Sequence, residues 1–63
     1  MNKNYKLKAA IVEKYGSQYN LEEEAGLPLG ITSTWINNRR IPTEEQMKIL
    51  TKALNKTAEE LGL

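Results

Sequence analysis

The groups in this chain that could do chemistry are few in kind. All eight acidic residues are glutamates, and histidine and cysteine are absent. Without His, Asp or Cys the usual general base, thiol nucleophile and zinc ligands are missing, which leaves Glu, Tyr, Lys and Ser/Thr for proton or nucleophile work. Neither an enzyme, a metal site nor a cofactor is expected. What remains is binding chemistry, and it gathers in residues 26–40, "GLPLGITSTWINNRR". This stretch offers three hydroxyls (Thr32, Ser33, Thr34), two carboxamides (Asn37, Asn38) and two guanidiniums (Arg39, Arg40). Just upstream stand three consecutive carboxylates, Glu22, Glu23 and Glu24. The first set suits phosphates and hydrogen-bonding edges; the second would select a basic protein partner or simply solvate a surface.

Those groups must be positioned by local elements, and the apolar spacing is helical throughout. Leu7, Ala10, Ile11 and Tyr15 recur at helical intervals, which predicts a first helix over about 4–15. Gly16 stops it, and Ser17 caps a second helix over 18–25 with Leu21 and Ala25 facing inward. Gly26 ends that helix, and Pro28 suits the first turn of a third, over about 28–37, with Asn38 as its left-handed terminator. Thr43 with Gln46 makes a capping box for a fourth helix, whose buried stripe is Met47, Leu50, Ala53 and Leu54. Thr57 with Glu60 makes another, opening a short fifth helix that carries Leu61. No strand-like alternation occurs. On the third helix, at about 100° per residue, Pro28, Ile31, Thr32 and Trp35 share one side and Gly30, Ser33, Thr34 and Asn37 the other. Trp35 is therefore expected in the core, flanked by Ile31 and Ile36, which should pack with Leu21 and Leu27. Glu44, Lys48, Lys52 and Lys56 form a row at intervals of four, read as a solvated helix face.

Bulk properties set the frame. Sixty-three residues allow one small domain, 1–63, of marginal stability. A net charge of only +1 means that any attraction to phosphate comes from where charges lie rather than how many there are. The longest apolar run, residues 9–12, is too short for a signal core or a membrane span, so a soluble, cytoplasmic chain is expected.

The second helix, a glycine corner and the third helix, residues 17–38, follow the order and spacing of a helix–turn–helix. With "KLKAAIVEKYGSQYN" before it and "WINNRRIP" and "ILTKALNKTAEELG" after it, the chain resembles the Xre family of phage repressors and Cro-like proteins. The small regulators of Gram-positive temperate phages are most similar. The resemblance implies an all-α, five-helix, lambda-repressor-like DNA-binding domain acting in a bacterial host cell. It places Gln18 at the phosphate-holding start of the second helix, and Asn37, Arg39 and Arg40 on phosphates beyond the third. It places Leu29, Gly30, Ser33 and Thr34 against base edges in the major groove. Glu22 falls where the family has a small residue. Its carboxylate must reach the rim or find a partner, and Thr32 is the residue expected to face it.

Two functions are compatible with that face. One is a transcriptional regulator of the lysis–lysogeny switch that binds operator DNA. The other is an antirepressor that binds the DNA-reading domain of the cognate phage repressor. Leu29 can touch only a thymine methyl and Gly30 offers backbone alone, so base discrimination rests on Ser33 and Thr34. The same Leu29 and Gly30, with Glu22, Glu23 and Glu24 as an acidic surface, suit a protein partner. For a homodimer, the closing helix with Leu61 and Leu63 is the candidate face.

Overall fold

The computed structural model describes residues 3–63 and consists of four α-helices, with no strand among the described residues. Helix α1 spans Tyr5–Tyr15, α2 Gln18–Ala25, α3 Ile31–Ile36 and α4 Glu44–Leu54. Each boundary has a local cause. Asn4 caps α1 by accepting from the Leu7 amide, and Ser17 caps α2 by accepting from the Asn20 amide. Thr43 and Gln46 exchange both bonds of a capping box at the start of α4. Residues at positive φ close the helices: Gly16 after α1, Gly26 after α2, Asn38 beyond α3 and Asn55 after α4.

The fifth helix is not formed as a helix. Residues 57–62 make a single helical turn, although its capping box is complete: Thr57 and Glu60 bond each other's amides at 3.0 and 3.1 Å. Gly62, at φ +71°, ends the winding after one turn. The turn still delivers Leu61 into the core with no exposure.

The core collects Leu7, Ala10 and Ile11 of α1, Leu21 of α2, Trp35 and Ile36 of α3, Leu50 and Leu54 of α4, with Leu27 and Leu61 from the connections. Met47 and Ala53 of α4 are half-buried beside the fully buried pair. α1 packs on all three other helices, whereas the backbone of α3 approaches α1 and α2 but not α4. Short α3 thus joins the rest through the core side chains Trp35 and Ile36 and through what fastens its ends.

One fastening runs through Asn4. Its backbone N–H donates to the Ile36 carbonyl at the end of α3 (2.6 Å), and its side-chain Nδ2 donates to the Leu61 carbonyl (2.8 Å). The same side chain accepts from Leu7 (3.1 Å), so a single residue ties α1, α3 and the closing turn together.

Candidate recognition surface around helix α3

α3 starts at Ile31, not at Pro28 as the apolar pattern predicts. Gly30, its N-cap, stands at φ +86°, a left-handed conformation that cannot continue back into a helix. Pro28 lies exposed in the corner, and its carbonyl accepts from Ile31 at 3.2 Å. A glycine cap has no side chain to satisfy the first amides of the helix.

Glu22 supplies that cap from the neighbouring helix. Its side chain is 3% exposed. Oε1 accepts from the Gly30 amide at 3.0 Å; Oε2 accepts from the Thr32 amide at 3.0 Å and from the Thr32 hydroxyl at 2.6 Å. Every partner is a donor, which a carboxylate satisfies and a protonated acid does not. Burial pushes the Glu22 carboxyl up, but the Thr32 hydroxyl and the Gly30 and Thr32 amides together outweigh it and hold it below the ordinary range. The Thr32–Glu22 pairing expected from sequence is present. The two backbone donors were not foreseeable without the corner's path. Among the described residues no buried side-chain polar atom lacks a partner.

The consequence is a correction to the acidic surface. Glu22 is inside the molecule, not on it, because it is committed to the start of α3. Glu23 and Glu24 are exposed, but they line shallow recesses with Lys14 and Tyr15 of α1, and Glu24 another with Lys52 and Ala53 of α4. They lie away from α3 because successive helical residues turn by about 100°.

On the outer side, Leu29 (67% exposed), Gly30 and Ser33 face solvent, while Thr34 and Asn37 are half-buried. The Thr34 hydroxyl donates to the Ile31 carbonyl at 2.6 Å, so its one proton is used within α3. Asn37 Nδ2 donates to Ser33 Oγ at 3.3 Å, which leaves the Ser33 proton, the second Asn37 Nδ2 proton and the Asn37 side-chain oxygen as further polar groups. Beyond the helix the chain folds back on Thr34, whose carbonyl accepts from both Arg39 (2.8 Å) and Arg40 (3.3 Å), and both arginines are exposed. At the other end Gln18, the first residue of α2, is half-buried; its Oε1 lies 3.3 Å from the Thr32 hydroxyl. At that distance, and with the hydroxyl proton taken at 2.6 Å by Glu22, the contact adds little. The predicted residues thus assemble into one neutral face, about 9 Å long at 1.5 Å per residue, with Gln18 near its start and two arginines at its end.

Two parts of the surface differ from expectation. Leu61 is wholly in the core, so it offers nothing to a dimer face, and Leu63 is half-buried. Ile41, by contrast, is 86% exposed and borders a groove with Trp35, Arg40 and Leu63. Its apolar character between Arg40 and Pro42, outside any helical period, was the available signal. Among the described residues no three His, Cys, Asp or Glu side chains group as metal ligands, and no helix is long and apolar enough to cross a membrane. No family model, curated protein or solved structure matches the chain.

Proposed function

We propose that the chain is a phage-type helix–turn–helix transcriptional regulator that binds operator DNA, with α2 and α3 as the two helices of the motif. The observation that carries this reading is the fate of Glu22. The carboxylate that would repel phosphate is buried and occupied by donors, leaving α3 a neutral outer face ended by two exposed arginines. In this reading Gln18 and the amino end of α2 hold one phosphate, and Arg39 and Arg40 hold others. Ser33 and the Leu29 methyls meet base edges, a sparse set that gives modest sequence preference. Binding to operator duplex at physiological salt, with affinity falling steeply as salt rises, is the expected result. No binding to any duplex would refute it.

The exposure of Leu29 and Ile41 favours a second reading, an antirepressor that lays α3 against the DNA-reading domain of the phage repressor. Truncating Leu29 to Ala separates the two. The loss of an apolar anchor would weaken a protein complex strongly and DNA binding only slightly.

A further inference from the structure

We infer that Glu22 is the positioning residue of the base-facing segment: its carboxylate, carried on α2, fixes where α3 begins and hence how Leu29 and Ser33 are presented to a groove. The inference rests on the DNA-binding reading for its consequence and on the corner's geometry for its cause. The corner between α2 and α3 has glycines at φ +72° and +86°, and neither would meet another atom within 4 Å if it carried a Cβ. Packing around those two residues therefore does not set the corner's path. α3 has six residues, its N-cap has no side chain, and its backbone does not approach α4. Leu27 in the corner and Trp35 and Ile36 at the far end of α3 are held by the core; at the near end Glu22 binds Gly30 with one oxygen and Thr32 with the other, gripping the first turn of α3 on both sides of Ile31. The third bond, from the Thr32 hydroxyl at 2.6 Å, adds a side-chain contact to the two backbone ones.

A glutamine keeps the shape but has one acceptor oxygen and a donor where the second oxygen stood. Either the Gly30 or the Thr32 amide must then face an N–H. A valine at 32 removes the hydroxyl and leaves both amide bonds, while a serine restores the hydroxyl. Three variants, Glu22→Gln, Thr32→Val and Thr32→Ser, therefore grade the grip without deleting the core.

The test has two arms. In the first, without DNA, amide exchange is followed residue by residue. The expected result is that residues 30–36 of Glu22→Gln, and to a lesser degree of Thr32→Val, lose protection well beyond the loss seen in α1 and α4, with Thr32→Ser, which loses only a buried methyl, the least affected of the three. A uniform loss across all helices would overturn the positioning role, since Glu22 would then only stabilise the whole. In the second arm, each protein is bound to a random-sequence duplex pool and the retained DNA is sequenced. Glu22→Gln should bind the unselected pool at least as tightly as the parent, because that term is set by attraction to phosphates and the substitution removes a negative charge. Its discrimination between the parent's preferred sequence and the pool should fall by about tenfold, on the order of one base pair's worth. Retention of the parent's preference by both Glu22→Gln and Thr32→Val would overturn the inference. If the parent itself retains no duplex, the DNA-binding reading falls, and the exchange arm alone decides whether Glu22 holds α3.

Discussion

Replacing Asn4 by Asp sets a general rule against this structure. At a helix N-cap the two residues are near equals, and the negative charge suits the helix dipole, so the rule predicts a change of a few tenths of a kcal/mol at most. Here the cap oxygen is only half of what Asn4 does. Its Nδ2 donates to the buried Leu61 carbonyl at 2.8 Å and lies 3.4 Å from that of Gly62. Aspartate keeps the bond from Leu7 but sets a charged oxygen against those carbonyls. Stranding one buried acceptor costs about 1–3 kcal/mol, and more where a charge is involved, so about 3 kcal/mol is expected. For a chain of this length the whole stability is roughly 3–9 kcal/mol. At about 4–8 °C per kcal/mol, the midpoint should drop by roughly 12–24 °C. Thermal and urea unfolding followed by helical circular dichroism measures it. Acid gives an internal control: protonating the introduced carboxyl restores a donor, so the deficit relative to the parent should narrow as pH falls. An Asn4→Asp variant as stable as the parent at neutral pH would show that the clamp to Leu61 carries no weight.

Three other outcomes are expected. Because Glu22 is held below its ordinary value in the folded chain, the stability it contributes is present above the unfolded value and lost as pH falls through the folded one. The urea midpoint should therefore decline in that acid window, and less so in Glu22→Gln; Glu60, shifted the same way on an exposed turn, accounts for part of the remaining decline. Gly62→Ala should destabilise more than Gly26→Ala, measured by thermal midpoints. Both adopt left-handed conformations costing about 1–2 kcal/mol for alanine, but a Cβ at 62 would stand 2.9 Å from Asn4 Oδ1, whereas one at 26 meets nothing within 4 Å. Arg39→Ala and Arg40→Ala should each lower the salt slope of duplex binding by roughly one without changing the preferred sequence; an unchanged slope would remove these arginines from the phosphate contacts.

What could be read from the sequence was what is decided within a few residues. Ser17, the Thr43–Gln46 box, and the terminators Gly16, Gly26 and Asn38 act on neighbours three or four positions away, and all act as expected; the Thr57–Glu60 box forms its bonds but opens one turn in place of the expected helix. Trp35 and the stripes of α1 and α4 were legible because burial follows the helical period. The failures are long-range. Pro28 looks like a helix start, but the start is dictated by Glu22 and by the left-handed Gly30. Asn4 carries no local sign that its donor is committed to a carbonyl 57 residues away. The acidic run read as one surface separated because only Glu22 of the three faces α3.

The arrangement at the corner also bears on how such a protein could change over generations. α3 is fastened from behind, through Glu22, Thr32 and Trp35, while on the outer side Leu29 is 67% exposed and the Ser33 hydroxyl makes only one exposed 3.3 Å contact, with Asn37. Substitutions at exposed positions of this kind usually shift stability by within about 0.5 kcal/mol. The outer residues are thus at liberty to drift, and a lineage could retarget what it binds one side chain at a time while its fold pays almost nothing for the experiment.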